Sequence, residues 1–144
     1  MSDPFSQALA CLPHGPEFRL VDRLLQLDAG RSGAGEYRVR GDEAFLRGHF
    51  PGQPMMPGVL LTEALAQLAG VVAQSDPAIP PLRGLRLTAL RNVKILGTAV
   101  PGEVLRIEAK VAGRLANLVQ ASGSIYVADR LILSGDVTLS GEAQ

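Results

Sequence analysis

The sequence predicts an α+β domain in which one buried helix combines with an antiparallel sheet. The last third of the chain alternates between apolar and polar residues in three runs, which is typical of half-buried antiparallel strands. The middle holds an apolar run of good helix formers between Gly58 and Gln74. The predicted order is two strands, the helix and four strands. At 144 residues the chain fits a single domain, 1–144.

The strands are predicted by period-two patterns and by turn residues between them. A looser alternation from Leu85 to Ile95 precedes the three clear runs, and Pro101-Gly102 suits a type II turn. In the first part, residues 18–27 and 35–39 are strand-like. The glycines between them favour a hairpin loop over a phosphate loop, because no Gly-Lys-Ser/Thr follows. The clear apolar positions are Leu105, Ile107, Ala109 and Val111, then Val119, Ala121, Gly123, Ile125 and Val127, then Leu131, Leu133, Val137 and Leu139.

The predicted helix has one face of large apolar residues and one face of small and polar residues. At 100° per residue, the large face is expected to pack on the sheet and the small face to meet another surface, such as a second subunit. Glu63 and Gln67 are four residues apart on the small face, close enough to touch or share a water. The large face holds Leu61, Leu65, Leu68 and Val72, and the small face holds Glu63, Ala66, Gln67 and Gly70.

Composition excludes several classes of protein. Acidic and basic residues balance at 14 each, and 47% of residues are hydrophobic, which argues against disorder and against a general nucleic-acid binder. The helical run is too short for a membrane span and carries a central carboxylate. The N-terminus lacks the pattern of a signal peptide, and Cys11 is the only cysteine. A soluble cytoplasmic protein is expected.

Two titratable residues flank a proline-rich turn and suggest proton-transfer chemistry. Burial disfavours an ionised carboxyl, so Glu63 is a candidate proton donor, although the helix alone leaves open a structural carboxyl tied to a backbone donor or an arginine. His49 suits a general base. The N–H of Gly58, at the helix start, can face a developing oxyanion. The region lacks the cysteines or clustered histidines of a metal site. For His14 a hydrogen-bonded structural role is favoured.

Three segments carry a resemblance to a known family. Residues 48–60 read GHFPGQPMMPGVL and residues 63–67 read EALAQ. This pattern resembles the signature of the β-hydroxyacyl-(acyl-carrier-protein) dehydratases of the FabZ type. Residues 12–14 (LPH), 20–23 (LVDR) and 100–105 (VPGEVL) resemble other parts of the same family, so the resemblance spans nearly the whole chain.

The resemblance implies a hotdog fold, in which an antiparallel sheet wraps around one long central helix. It also implies dehydration of (3R)-3-hydroxyacyl-(acyl carrier protein) thioesters to trans-2-enoyl thioesters, without a metal or an organic cofactor. By position, His49 and Glu63 correspond to the catalytic pair, and Pro57, Gly58 and Gln67 to substrate-binding positions. The family is at least dimeric, often a trimer of dimers, and its histidine and acid come from different subunits.

Two other functions remain open at this stage. A hotdog thioesterase would hydrolyse the same class of substrate, and a non-catalytic hotdog subunit would only bind acyl thioesters. The joint presence of His49 and Glu63 favours the dehydratase. A basic stretch between residues 77 and 102 is either a docking surface for an acidic carrier protein or ordinary solvated surface. Its basic residues are Arg83, Arg86, Arg91 and Lys94.

Overall fold

The computed structural model of the protein describes residues 4–46 and 52–143, which form one six-stranded sheet and two α-helices. Every pair of neighbouring strands is antiparallel, in the order β1-β2-β4-β5-β6-β3. The elements are α1 (Pro4–Leu9), β1 (Arg23–Asp28), β2 (Ser32–Arg38), α2 (Gly58–Gln74), β3 (Arg83–Ile95), β4 (Val104–Leu115), β5 (Leu118–Val127) and β6 (Arg130–Glu142).

Helix α2 lies across one face of the sheet, as the sequence predicts. It starts directly after Pro57, whose carbonyl accepts the N–H of Leu60 and of Leu61. The predicted large face is fully buried against the sheet: Leu61, Leu65, Leu68 and Val72 have no exposed surface. The arrangement of one long helix on a six-stranded antiparallel sheet confirms the predicted α+β class. No helix in the described ranges is long and apolar enough to cross a membrane.

Both predicted turns are present. Gly30 has a φ of +75° in the β1–β2 hairpin, a conformation that glycine adopts without steric cost. Gly102 has a φ of +93°, and the N–H of Glu103 donates to the carbonyl of Val100 at 3.0 Å, which closes the turn before β4. The first turn joins two neighbouring strands, whereas the second precedes β4, which does not pair with β3.

Strand β6 departs from the predicted alternation near its start. Leu131, predicted to face the core, is 36% exposed, whereas Ile132, predicted to face outward, is fully buried. The cause is a break in the pairing register: Ile125 faces Leu133, but Tyr126 faces Leu131. A bulge of this kind places one extra residue in the strand and reverses the facing of the residues before it.

The N-terminal part is also shorter in strand than predicted. Of the run 18–27, only residues from Arg23 onward join the sheet, and helix α1 was not predicted at all. Residues 16–18 form a 3₁₀ turn, and the backbone N–H of Leu20 donates to the side chain of Gln67 on α2 rather than to a strand. The segment before β1 therefore runs over helix α2 and covers its small face.

Strand β3 lies at the edge of the sheet and, within residues 4–46 and 52–143, pairs only with β6. Three shifts in register interrupt this pairing, and Asn92 has a φ of +53°. These irregularities explain the looser alternation of its sequence. The other side of β3 has no neighbouring strand among the described residues, and its side chains Leu90 and Ile95 are about half exposed.

Candidate active site

An apolar cavity of about 340 Å³ lies between the small face of α2, the segment before β1 and the edge of the sheet. Its size falls at the lower end of the range for small-molecule sites. Glu63 and Gln67 supply carboxylate and amide groups on the helix wall. The remaining lining is Cys11, Leu12, Pro13, His14, Phe18, Ala66, Gly70, Val71, Gln74, Leu85, Arg86, Leu87 and Leu139.

Glu63 and Gln67 are in direct contact, as their four-residue spacing predicts. The Gln67 Nε2 donates to Glu63 Oε2 at 3.1 Å. The same nitrogen donates to the carbonyl of Phe18 at 2.8 Å, and Gln67 Oε1 accepts the N–H of Leu20 at 2.8 Å. Because Gln67 is only 2% exposed and bonded on three sides, it holds the Glu63 carboxylate in one place.

The small face of α2 is covered by the same chain. Ala66 and Gln67 are buried beneath the segment before β1, so the surface that the sequence required opposite this face is the protein's own N-terminal segment. The side chain of Glu63 keeps 21% of its surface exposed. The carboxylate is therefore accessible from the cavity in the single chain.

His14 is the residue that sequence reasoning undervalued. Its Nε2 lies 3.4 Å from Glu63 Oε2, and its ring stacks on Phe18 at 5.8 Å between centroids. Its Nδ1 is buried with no hydrogen-bond partner in the described parts of the chain. The signal was present in the sequence, since residues 12–14 belong to the family resemblance, but nothing in the local pattern linked His14 to Glu63.

The structure separates two of the other predicted site residues from this cavity. His49 lies outside the described residues. Pro57 and Gly58 are described but do not line the cavity. Gly58 starts α2, and a Cβ added to it would lie 2.7 Å from Ile95 Cδ1, so a larger residue would require the half-exposed Ile95 side chain to move. Glu63 and Gln67 thus form one half of the predicted site, and Pro57 and Gly58 lie apart from it.

A hydrogen-bonded cluster anchors the end of β2, shortly before residue 47. Tyr37 donates its hydroxyl to Glu43 at 2.6 Å, and Arg40 donates to Asp22 at 2.7 Å. Burial raises the pKa of Tyr37 above its usual range, and the bond to Glu43 adds to the rise. The cluster fixes the chain on the N-terminal side of the segment that carries His49.

The basic stretch does not form one continuous patch. Arg83 lies opposite Glu142 and Arg91 lies opposite Asp136 in the β3–β6 pairing, whereas Arg86 lies opposite Ser140. Lys94 lines a polar groove on the other face of the sheet together with acidic side chains. The arrangement favours solvated surface for most of the stretch. Within residues 4–46 and 52–143, no group of three or more His, Cys, Asp or Glu side chains could hold a metal ion.

The sheet order and the single helix across it define the hotdog class of proteins, and similarity to known proteins agrees. Residues 12–136 match the model of the FabA-like domain family. The chain belongs to this family. It is 39% identical over 126 residues to a protein named 3-hydroxyacyl-[acyl-carrier-protein] dehydratase FabZ from Moorella thermoacetica, covering 88% of this chain and 87% of that one. The protein of the same name from Alkaliphilus metalliredigens is 36% identical over 129 residues, covering 90% and 87%.

Solved structures of low sequence identity share the fold. The dehydratase heterocomplex ApeI:P from Xenorhabdus doucetiae superposes with a TM-score of 0.79 at 17% identity, covering 97% of this chain and 92% of that one. The protein Cj0977 from Campylobacter jejuni superposes with a TM-score of 0.71 at 10% identity, covering 100% and 94%. These similarities confirm the predicted hotdog fold.

Proposed function

We propose that the protein dehydrates (3R)-3-hydroxyacyl thioesters carried on acyl carrier protein to trans-2-enoyl thioesters. Glu63, held by Gln67 at the wall of an apolar cavity, is the observation that carries the proposal. The names of the similar FabZ proteins identify the same substrate class. An apolar cavity with one accessible carboxylate suits an acyl chain whose hydroxyl group must leave.

The dehydration needs a base that removes a proton from C2 and an acid that protonates the hydroxyl oxygen on C3. His49 takes the proton from C2, the electron pair of that C–H bond forms the C2–C3 double bond, and the C3–O bond breaks. Because hydroxide is a poor leaving group, Glu63 supplies the proton with which the oxygen departs as water. The N–H of Gly58 donates to the thioester oxygen, which gains negative charge as the proton leaves.

The hydrogen bonds of Glu63 distinguish its two oxygens. Among the described residues, both Gln67 and His14 approach Oε2. This leaves Oε1 as the oxygen that carries the transferable proton toward the cavity. A fixed acid of this kind lowers the cost of aligning donor and leaving group. Gln67 is thus a positioning residue in the proposed mechanism.

A complete site requires two chains in this proposal. Glu63 lines the cavity of one protomer, whereas Pro57 and Gly58 lie outside that cavity. Strand β3 offers an unpaired edge with exposed apolar side chains, and such an edge readily pairs with another strand. A homodimer, alone or within a trimer of dimers, combines His49 and Gly58 of one protomer with Glu63 of its partner.

The central test removes each of the two proposed catalytic groups. Glu63→Gln and His49→Ala are each expected to reduce dehydration by about 10²–10⁴-fold while the thermal unfolding temperature stays near that of the wild type. The matched control is Glu17→Gln, an exposed acid of the 3₁₀ turn outside the cavity. The assay measures the dehydration of a 3-hydroxyacyl substrate carried on acyl carrier protein.

Two outcomes would contradict the proposal. Wild-type turnover in either variant would remove that residue from the mechanism. Release of free thiol from a crotonyl thioester, without hydration of its double bond, would instead identify a thioesterase.

A further inference from the structure

The cavity continues from Glu63 along helix α2 in the direction of its C-terminus. Ala66, Gly70 and Gln74 line it at successive turns on the same side of the helix. At 1.5 Å of rise per residue, Gly70 lies about 10 Å and Gln74 about 16 Å along the axis from Glu63. The lining along the helix is thus about 16 Å long.

The wall opposite these small residues is apolar. Leu85 of β3 and Leu139 of β6 lie opposite Gly70, and Leu87 of β3 also lines the cavity. Arg86, between the two leucines of β3, lines it as well and is exposed to solvent. The amides of Gln67 and Gln74 are already bonded within the protein. An acyl chain fits such a lining, whereas the amide groups of a carrier's prosthetic arm would lose hydrogen bonds to water without replacement.

Gly70 is the narrow point between helix and sheet. A Cβ added to Gly70 would lie 3.6 Å from Leu85 Cδ2 and 3.7 Å from Leu139 Cδ1, which is ordinary van der Waals contact. One methyl group therefore fits, and any larger side chain fills the passage. On this side of the helix, the lining position between Glu63 and Gly70 is the small Ala66.

Gln74 is the α2 residue of the cavity lining that lies farthest from Glu63. Its Nε2 donates to the carbonyl of Leu82 at 2.7 Å, and its Oε1 accepts the N–H of Leu82 at 3.1 Å. This two-point attachment holds the side chain in place. Gln74 is also the last residue of α2 in the lining.

We infer that Gly70 sets the acyl-chain length that the enzyme accepts, a role that rests on the proposed function. An extended chain advances about 1.2 Å per bond, so about nine bonds separate the C3 carbon beside Glu63 from the level of Gly70. Acyl chains of about ten carbons or fewer end before Gly70, and chains of about fourteen pass it. Ala66, about 4.5 Å from Glu63, is reached by chains of about seven carbons.

The experiment measures kcat/KM for hydration of trans-2-enoyl thioesters with four, eight, twelve and sixteen carbons. In Gly70→Leu, the ratio of the sixteen-carbon to the four-carbon value is expected to fall by about tenfold or more, because the leucine fills the passage. In Ala66→Leu, the kcat/KM relative to the four-carbon thioester is expected to fall already for the eight-carbon thioester. Leu85→Phe fills the passage beside Gly70 from the opposite wall. Its kcat/KM is expected to fall at the same chain length as that of Gly70→Leu.

The matched control is Gly113→Leu, a glycine of β4 with no atom within 4 Å of an added Cβ, for which the ratio stays at its wild-type value. Equal losses at every chain length, or an unchanged ratio in both Gly70→Leu and Leu85→Phe, would overturn the inference. The same cut-off for Ala66→Leu and Gly70→Leu would also overturn it. Wild-type protein that hydrates none of the thioesters would instead refute the proposed function.

Discussion

At the scale of single residues, Gln67 links the candidate site to the fold. Its side chain satisfies the N–H of Leu20 and the carbonyl of Phe18 while it donates to Glu63. Both backbone groups belong to a segment that joins no strand. One buried amide therefore stands in for the strand hydrogen bonds that this segment lacks.

Replacing Gln67 with leucine is expected to destabilise the protein and to weaken catalysis. Two backbone groups lose their partners, and at about 1–3 kcal/mol for each buried group the free energy of unfolding falls by roughly 2–6 kcal/mol. Urea unfolding measures the change. Gln120→Leu, at an exposed position of β5, is the control and stays within about 0.5 kcal/mol. A Gln67→Leu protein as stable as the control would contradict the prediction.

At the scale of elements, helix α2 and strand β5 approach closely at a glycine. A Cβ at Gly123 would overlap the carbonyl of Glu108 and a methyl group of Leu65. The other contacts between β4 and β5 are those of paired antiparallel strands, with one register shift between Val111 and Gly113. The absence of a side chain at Gly123 is thus what allows the helix to lie this near the sheet.

The substitution Gly123→Ala tests this close approach. Overpacking is expected to lower the free energy of unfolding by about 1–3 kcal/mol or more, measured by chemical denaturation. Gly113→Ala on neighbouring β4 adds the same methyl group into open space and is expected to leave stability unchanged or slightly raised. Equal changes in the free energy of unfolding for the two variants would show that strand propensity, rather than packing, determines the effect.

The end of β2 gives the molecule an acid-sensitive contact. Burial acts to raise the pKa of Glu43, but N–H donors of Arg40 and Gly41 and the hydroxyl of Tyr37 outweigh it, so the pKa lies below its ordinary value of 4.5. A lowered pKa in the folded state stabilises the protein above pH 4.5, and this contribution is lost as pH falls through the folded-state value.

Glu43→Gln is accordingly expected to lower the free energy of unfolding at pH 7 by about 1–3 kcal/mol. The difference from wild type is expected to shrink as pH falls below 4.5, because the wild-type carboxylate is then protonated. Urea unfolding at pH 7, 4 and 3 measures it. Asp42→Asn, an exposed neighbour, serves as the control. If the difference in the free energy of unfolding between Glu43→Gln and wild type stayed constant with pH, the lost stability would be due to packing rather than to the carboxylate charge.

At the scale of the whole molecule, the proposed site is divided between protomers. Mixing inactive His49→Ala and Glu63→Gln proteins under subunit exchange is expected to restore activity, because one of the two sites in a mixed dimer keeps both groups. With random exchange, about a quarter of all sites are intact, since half of the dimers are mixed. No recovery despite exchange observed by mass spectrometry, or an active monomer in sedimentation, would contradict the division.

The sequence by itself determined the helix from Gly58 to Gln74, the large face that packs on the sheet, and the turns at Gly30 and Gly102. These features depend on local periodicity and on turn residues, which a single sequence displays directly. The four-residue spacing of Glu63 and Gln67 likewise predicted that their side chains touch, because four residues make about one helical turn.

Only the tertiary structure decided what covers the small face of α2 and what lies beside Glu63. The bonds from Gln67 to Leu20 and Phe18 join residues 47 and 49 positions apart, and His14 reaches Glu63 from the same segment. The bulge that buries Ile132 likewise depends on the register between β5 and β6. Such contacts form between distant parts of the chain, where local patterns hold no information about which partner lies opposite.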